Sequence, residues 1–182
     1  MTATGSAVAR IEKKQRKKAK SDLETGGPKR PLNSWMAFRK YYNRVLTPYT
    51  QKAISSCLAQ LWKADLFTAK WALLAKAYSV VRGCGEKKDA PLDEYFAICA
   101  PLIGIIPPEV YLEMMGWRVL PPQEGDSLKV PQLVRSFEPS LDCFGEEHTT
   151  TNLGVDDLVN ACWAAGYGQQ SNNGPQNAGA HG

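Results

Sequence analysis

Between Pro31 and Gly83 the apolar residues recur three times at helical spacing, and no segment there alternates with a period of two. The first segment runs from about Leu32 to Leu46, places Trp35, Phe38, Tyr42 and Val45 at i, i+3, i+7 and i+10, and stops near Pro48. The second runs from about Gln51 to Lys63, with Ile54, Leu58 and Leu61 in register and Trp62 beside them. The third runs from about Thr68 to Val81, with Leu74, Tyr78 and Val81 at the same spacing, Trp71 one turn earlier, and Gly83 and Gly85 to end it. The pattern predicts a small all-α unit of about 55 residues, a size at which surface-to-volume scaling leaves little stability to spare. Trp35, Trp62, Trp71 and Phe38 supply the large buried areas such a unit needs, so they are read as core.

One residue of the first helix does not fit. At roughly 100° per residue, Met36 lies about 140° from the middle of the Trp35–Phe38–Tyr42 stripe, on the side of Asn33, Lys40 and Asn43. A large apolar side chain among amides and a cation is either a surface methionine, a contact for residues 89–115, or a group with work to do outside the core.

Charge divides the chain. Residues 1–44 carry 12 Lys/Arg against 3 Asp/Glu, residues 45–88 carry 7 against 2, and residues 89–182 carry 3 against 13. The basic half predicts a polyanion partner, and the acidic half a protein-facing or solvating segment. Within "RIEKKQRKKAK" the cations Arg10, Lys13, Lys14, Arg16, Lys17, Lys18 and Lys20 read as a nuclear import signal, a phosphate-contacting arm, or both. The N-terminus is polar and then charged, unlike a secretory leader. The longest uncharged apolar run, "FAICAPLIGII", has 11 residues and is broken by Pro101, short of the ~20 that span a bilayer. Five cysteines without CxxC spacing read as reduced, mostly buried thiols, and the two histidines, His148 and His181, cannot assemble a zinc finger. His148 near Cys143 has no packed support for nucleophilic chemistry, and "RGCGEKK" lacks the GK[ST] ending of a phosphate loop. The expectation is a nuclear, non-enzymatic protein with no cofactor, no metal, no membrane contact and no small-molecule substrate.

The organisation expected is a disordered basic arm over 1–28, a helical domain over 29–85, a proline-cut helical extension over 86–118, and an acidic, largely disordered tail over 119–182. Within that tail "VDDLVNACWAAGY" is at most a short partner-binding or frayed helix. Removing the tail is therefore expected to spare affinity for the polyanion partner.

The residues themselves resemble a known family. "KRPLNSWMAF" is similar to the opening of a sequence-specific HMG box, "ISSCLAQLWK" to its second helix and "AKWALLAKAY" to its third. Trp62 and Trp71 keep that family's nine-residue separation. The wording "RPLNSWMAFRKYY" followed by "LWKADLFTAKWALLAKAYSVVR" most resembles the alpha box of fungal mating-type proteins, the mating-type alpha-1 transcription factors, a divergent relative of the HMG box. The likeness extends to about residue 115 through "PLIGIIPPEVYLEMMGW", and the chain is short for the family, as a truncated or divergent member would be.

The resemblance implies an L-shaped, three-helix fold that enters the minor groove of double-stranded DNA and bends it. It implies activation of mating-type-specific genes, such as those for pheromone and receptor, with a second factor of the MADS-box kind. At the Met36 position the resembling boxes carry an intercalating wedge, and at the Asn33 position a base-edge contact; Asn33 also reads as a helix cap. Lys29, Arg30, Arg39, Lys40, Asn43 and Arg44 are the remaining candidates around it, the cations for the phosphate backbone, with Ser55 contributing from the second helix. A non-specific architectural DNA binder and a protein–protein adaptor with a basic face are the alternatives.

Overall fold

The computed structural model of the protein describes residues 30–83 and 90–168. The basic arm, Lys29 and the import candidates from Arg10 to Lys20 lie outside the described residues. From Pro31 onward the described chain packs as one unit, mostly helical as expected.

Helix α1 spans Ser34–Tyr42 and tightens into a 3₁₀ turn over Asn43–Leu46. It starts at Asn33, whose side chain accepts from Met36 N at 2.8 Å and satisfies one of the orphan donors of the first turn. Helix α2, Gln51–Lys63, is capped in the same way by Thr50, and α3, Thr68–Arg82, ends at Gly83 with φ +53°, a backbone state that favours glycine. The hydrophobic spacing of the three helices is realised at Phe38, Tyr42, Ile54, Leu58, Leu61, Trp71, Leu74 and Tyr78, which are buried, while Trp35, Val45, Trp62 and Val81 are only partly buried against that core.

The extension does not append to this core; it completes it. Helices α4 (Leu92–Leu102) and α5 (Pro108–Met114) follow. Phe38 sits among Tyr42, Trp62, Trp71 and Tyr111 with ring centroids 4.8 to 5.9 Å apart, so a side chain of α5 fills the middle of the three-helix core. Tyrosine hydroxyls tie the two segments together. Tyr42 donates to Ile106 O at 2.9 Å, Tyr78 to Ala90 O at 2.7 Å and Tyr95 to Leu74 O at 2.8 Å.

Residues 119–168 correct the expectation of a largely disordered tail. Strands β1 (Trp117–Leu120) and β2 (Gln132–Arg135) form an antiparallel pair, with Trp117 opposite Arg135 and Leu120 opposite Gln132. Short turns follow at Leu141–Cys143 and at α6 (Glu146–Thr149), and then helix α7, Val155–Ala164, packs on α3 and α4. Its Leu158, Val159 and Cys162 are buried, and Tyr167 beyond it donates to Pro91 O at 3.0 Å. The physical reason is spacing: Val155, Leu158, Val159 and Cys162 fall at i, i+3, i+4 and i+7, so one face is apolar while Asp156, Asp157 and Asn160 face outward. Acidic composition concealed an ordinary amphipathic helix.

A polar clip holds this segment to the box. Lys70 is buried, and its Nζ donates to Ile103 O at 2.5 Å and to Glu147 O at 3.2 Å. Desolvation lowers its pKa, and Glu147 opposes that shift. Gly104, at φ +65°, allows the close approach, since a Cβ there would lie 1.6 Å from Glu147 O. His148 Nδ1 lies 2.8 Å from Gly104 O, which fixes the donor tautomer because a carbonyl can only accept.

A second buried ionisable group gives the fold a pH dependence. Asp65 accepts from Phe67 N and from the hydroxyl of Tyr111, both at 3.1 Å. Burial nevertheless pushes its carboxyl up from 3.8 to about 6, with those hydrogen bonds pulling the other way. The native chain therefore holds this proton where the unfolded chain has already lost it. Its stabilising contribution is complete below about pH 4 and is lost as pH rises through about 6, an effect on the order of 3 kcal/mol by linkage. Asp65→Asn should remove that dependence. Urea unfolding at pH 4 and pH 7 should show the variant gaining on the native chain by roughly 2–3 kcal/mol across that interval. Parallel pH profiles for the two chains would place the buried charge elsewhere.

Candidate nucleic-acid interface

The candidate face is the side of α1 that the core leaves open. Met36 lies on it, 45% exposed, as its position off the core stripe requires. By helical periodicity Asn33, Arg39 and Lys40 share that side, Asn43 and Arg44 follow in the 3₁₀ turn, and Ala37, Phe38 and Tyr42 are buried in the core. Asn33 is a helix cap, and that role fixes its amide. Because Oδ1 accepts from Met36 N, the Nδ2 group is left as an outward donor next to the methionine.

Helix α2 forms one border of the face. Asn43 is tied to Gln51 by an amide–amide hydrogen bond at one end, and the Trp35 ring lies 6.0 Å from that of Trp62, tilted by 48°, at the other. These contacts run α1 and α2 antiparallel. Ser55 falls on the same side of α2 as Gln51 and Trp62, flanking the middle of α1, where Arg39 is half-buried. The other border is acidic. Lys40 Nζ pairs with Asp93 at 3.0 Å and Arg44 with Glu109 at 3.0 Å, the carboxylates coming from the first turns of α4 and α5. A groove of about 320 Å³ between α1 and α4, lined by Lys40, Tyr41, Arg44, Asp93 and Phe96, follows this border.

The structure thus brings Asn33, Met36, Arg39, Lys40, Asn43, Arg44 and Ser55 to one region. Arg30 is exposed, at the end of the N-terminal unit. Among the described residues no three His, Cys, Asp or Glu side chains converge to hold a metal ion, and no helix is long and apolar enough to cross a membrane.

A family model described as mating-type protein MAT alpha 1 HMG-box matches residues 1–178. The chain belongs to this family. It is 36% identical to the mating-type protein MAT-1 of Fusarium oxysporum over 139 residues, which is 76% of this chain and 38% of that protein. The MAT-1 proteins of Cochliobolus ellisii and Cochliobolus carbonum are 34% and 33% identical over 141 residues, each alignment covering 76% of this chain and 36% of the relative. The chain therefore spans well under half the length of these curated relatives. No solved structure matches it significantly. The MAT alpha 1 HMG-box family is a mating-type family and not an enzyme class.

Three residues of this MAT alpha 1 protein were not legible as parts of the face. Gln51 reaches Asn43 across the Thr47–Pro48 turn, a contact that periodicity within a helix cannot register. Asp93 and Glu109 lie in the first turns of α4 and α5, where an acid is favourable whatever it touches. What they touch depends on how the extension folds back over α1.

Proposed function

We propose that this protein is a sequence-specific transcription factor that specifies mating type by entering the minor groove with Met36 and bending the duplex. The observation that carries the reading is the exposed Met36 beside the outward amide donor of Asn33, on a face that also holds Arg39, Lys40 and Arg44. Minor-groove wedges are apolar groups inserted between base steps and flanked by amides and cations. Adenine N3 and thymine O2 offer only acceptors on the groove floor, so an amide fixed with its N–H₂ outward is the matching partner. Met is unbranched and polarisable, which suits contact with base faces. Activation of pheromone and receptor genes together with a MADS-box factor belongs to the same proposal and rests on the family resemblance.

Selection from a random duplex library with the full chain, followed by sequencing, tests the reading. Recovery of an A·T-rich core motif is the expected result. Binding without enrichment would favour a non-specific architectural protein, and no binding at low salt would favour an adaptor with a basic face.

Nuclear location is part of the proposal. Replacing Lys13, Lys14, Arg16, Lys17 and Lys18 by Ala should leave a fluorescent fusion largely cytoplasmic, because this cluster concentrates the import signal. Unchanged nuclear accumulation would move the signal to other basic residues, first among them those of the box.

A further inference from the structure

The acidic border of the candidate face offers an inference that rests on the DNA-binding reading and goes beyond it. Two cations expected on phosphates already hold carboxylates: Lys40 with Asp93 and Arg44 with Glu109, each at 3.0 Å. A carboxylate is a fair stand-in for a phosphate oxygen, because it is anionic, presents two acceptors and takes the same charge-assisted hydrogen bonds. The two acids come from different helices of the extension, α4 and α5, and reach Lys40 in α1 and Arg44 in the 3₁₀ turn that follows it.

We infer that Asp93 and Glu109 act as built-in competitors of the DNA backbone, withdrawing Lys40 and Arg44 from sequence-independent phosphate binding. Side-chain exposures of 48% and 76% for the first pair, and 63% and 66% for the second, make these weak, exchangeable pairs. They do not lock the face. They subtract from whatever the two cations would contribute, and they set two negative charges within a Debye length of an approaching backbone. Phosphate contacts carry no sequence information, so the subtraction falls on every duplex alike. Stable association then depends on the groups that read the groove, Met36 and Asn33. Less of the protein is sequestered on random DNA.

The test is the salt dependence of binding by the full chain, measured on a random duplex and on a selected one. Each phosphate neutralised adds about −0.9 to the slope of log K against log salt, so Asp93→Asn with Glu109→Gln should steepen the slope by up to about 1.8. Affinity at ~0.1 M salt should rise roughly tenfold on both duplexes. In a Lys40→Gln/Arg44→Gln background the same acid substitutions should add no more than about twofold, the residue of lost repulsion. Thermal unfolding of each variant, expected to stay near that of the native chain, excludes misfolding as the cause.

An unchanged slope and affinity in Asp93→Asn/Glu109→Gln, with the native chain binding DNA, would overturn this inference and leave the parent reading standing. An equal gain in both backgrounds would also overturn it, by showing a general charge effect with no part for the pairs. If neither the native chain nor the acid-substituted variant binds any duplex at low salt, the parent reading fails and this inference falls with it.

Discussion

A chain cut after Arg118 should lose the cooperative fold of the whole unit, the three box helices included. The cut removes α7, whose Leu158 and Cys162 are fully buried and whose Val159 is 4% exposed. It strips cover from α3 and α4, on which α7 packs. It also removes β2 with the second half of β1, the Glu147 carbonyl from buried Lys70, and Pro131 O from the Cys57 thiol. A single fully buried Leu→Ala change costs about 2–5 kcal/mol, and a domain of this size has roughly 5–15 kcal/mol in total. Loss of several such side chains at once, with a buried ammonium left short of a partner, exceeds that reserve. Circular dichroism of the cut chain should show no cooperative melt, and DNA binding should disappear with the fold. Leu158→Ala in the full chain should keep the fold and lower its stability by about 2–5 kcal/mol. If the cut chain melts cooperatively within a few degrees of the full one, the described segment beyond Arg118 is an appendage. Its removal would then spare DNA affinity, as the charge and composition of that half first indicated.

The contrast between the two halves explains what could be read from the residues. Helix α2 was legible to the residue, Gln51–Lys63, because its spacing, the threonine cap before it and its termination are local properties. Helix α3 ran one residue past expectation, to Arg82, and α1 gave way to a 3₁₀ turn at Asn43, both ordinary drift at helix ends. The exposed position of Met36 followed from angle alone. The hairpin was not legible, because four-residue strands separated by Pro121, Pro122, Gly125 and Pro131 show too few alternations to stand out from a loop. Helix α7 carried a readable i, i+3, i+4, i+7 stripe, but five acids from Asp142 to Asp157 and the polar stretch after Gly168 gave the whole segment a disordered composition. The decisive fact for α7 is non-local: it meets apolar surface on α3 and α4, helices more than 50 residues earlier in the chain. The same holds for Tyr111, whose ring enters a core that the box appeared to complete on its own.

The Met36→Ala variant should separate binding from folding. Met36 is not one of the buried cluster and is 45% exposed, so truncation should shift stability by no more than about 0.5 kcal/mol. Its backbone N–H, which Asn33 caps, is unchanged by the substitution, so the start of α1 is retained. Specific affinity should nonetheless fall roughly 10- to 100-fold, because unstacking a base step costs a few kcal/mol that only the inserted side chain offsets. The bend, measured by fluorescence transfer between duplex ends, should shrink in parallel. Met36→Leu, which keeps an apolar wedge of similar volume, should retain most of both. Trp71→Ala supplies the opposite pattern. Its indole is fully buried among Phe38, Tyr41, Tyr42 and Phe96, so the change should cost about 3–5 kcal/mol and binding should be lost only as far as the fold is. Trp35, half-buried at the rim against Trp62, should fall between the two. A Met36→Ala chain that melts like the native one and still bends DNA fully would reduce the methionine to a surface residue. The amides and cations of the face would then have to account for any sequence preference without a wedge.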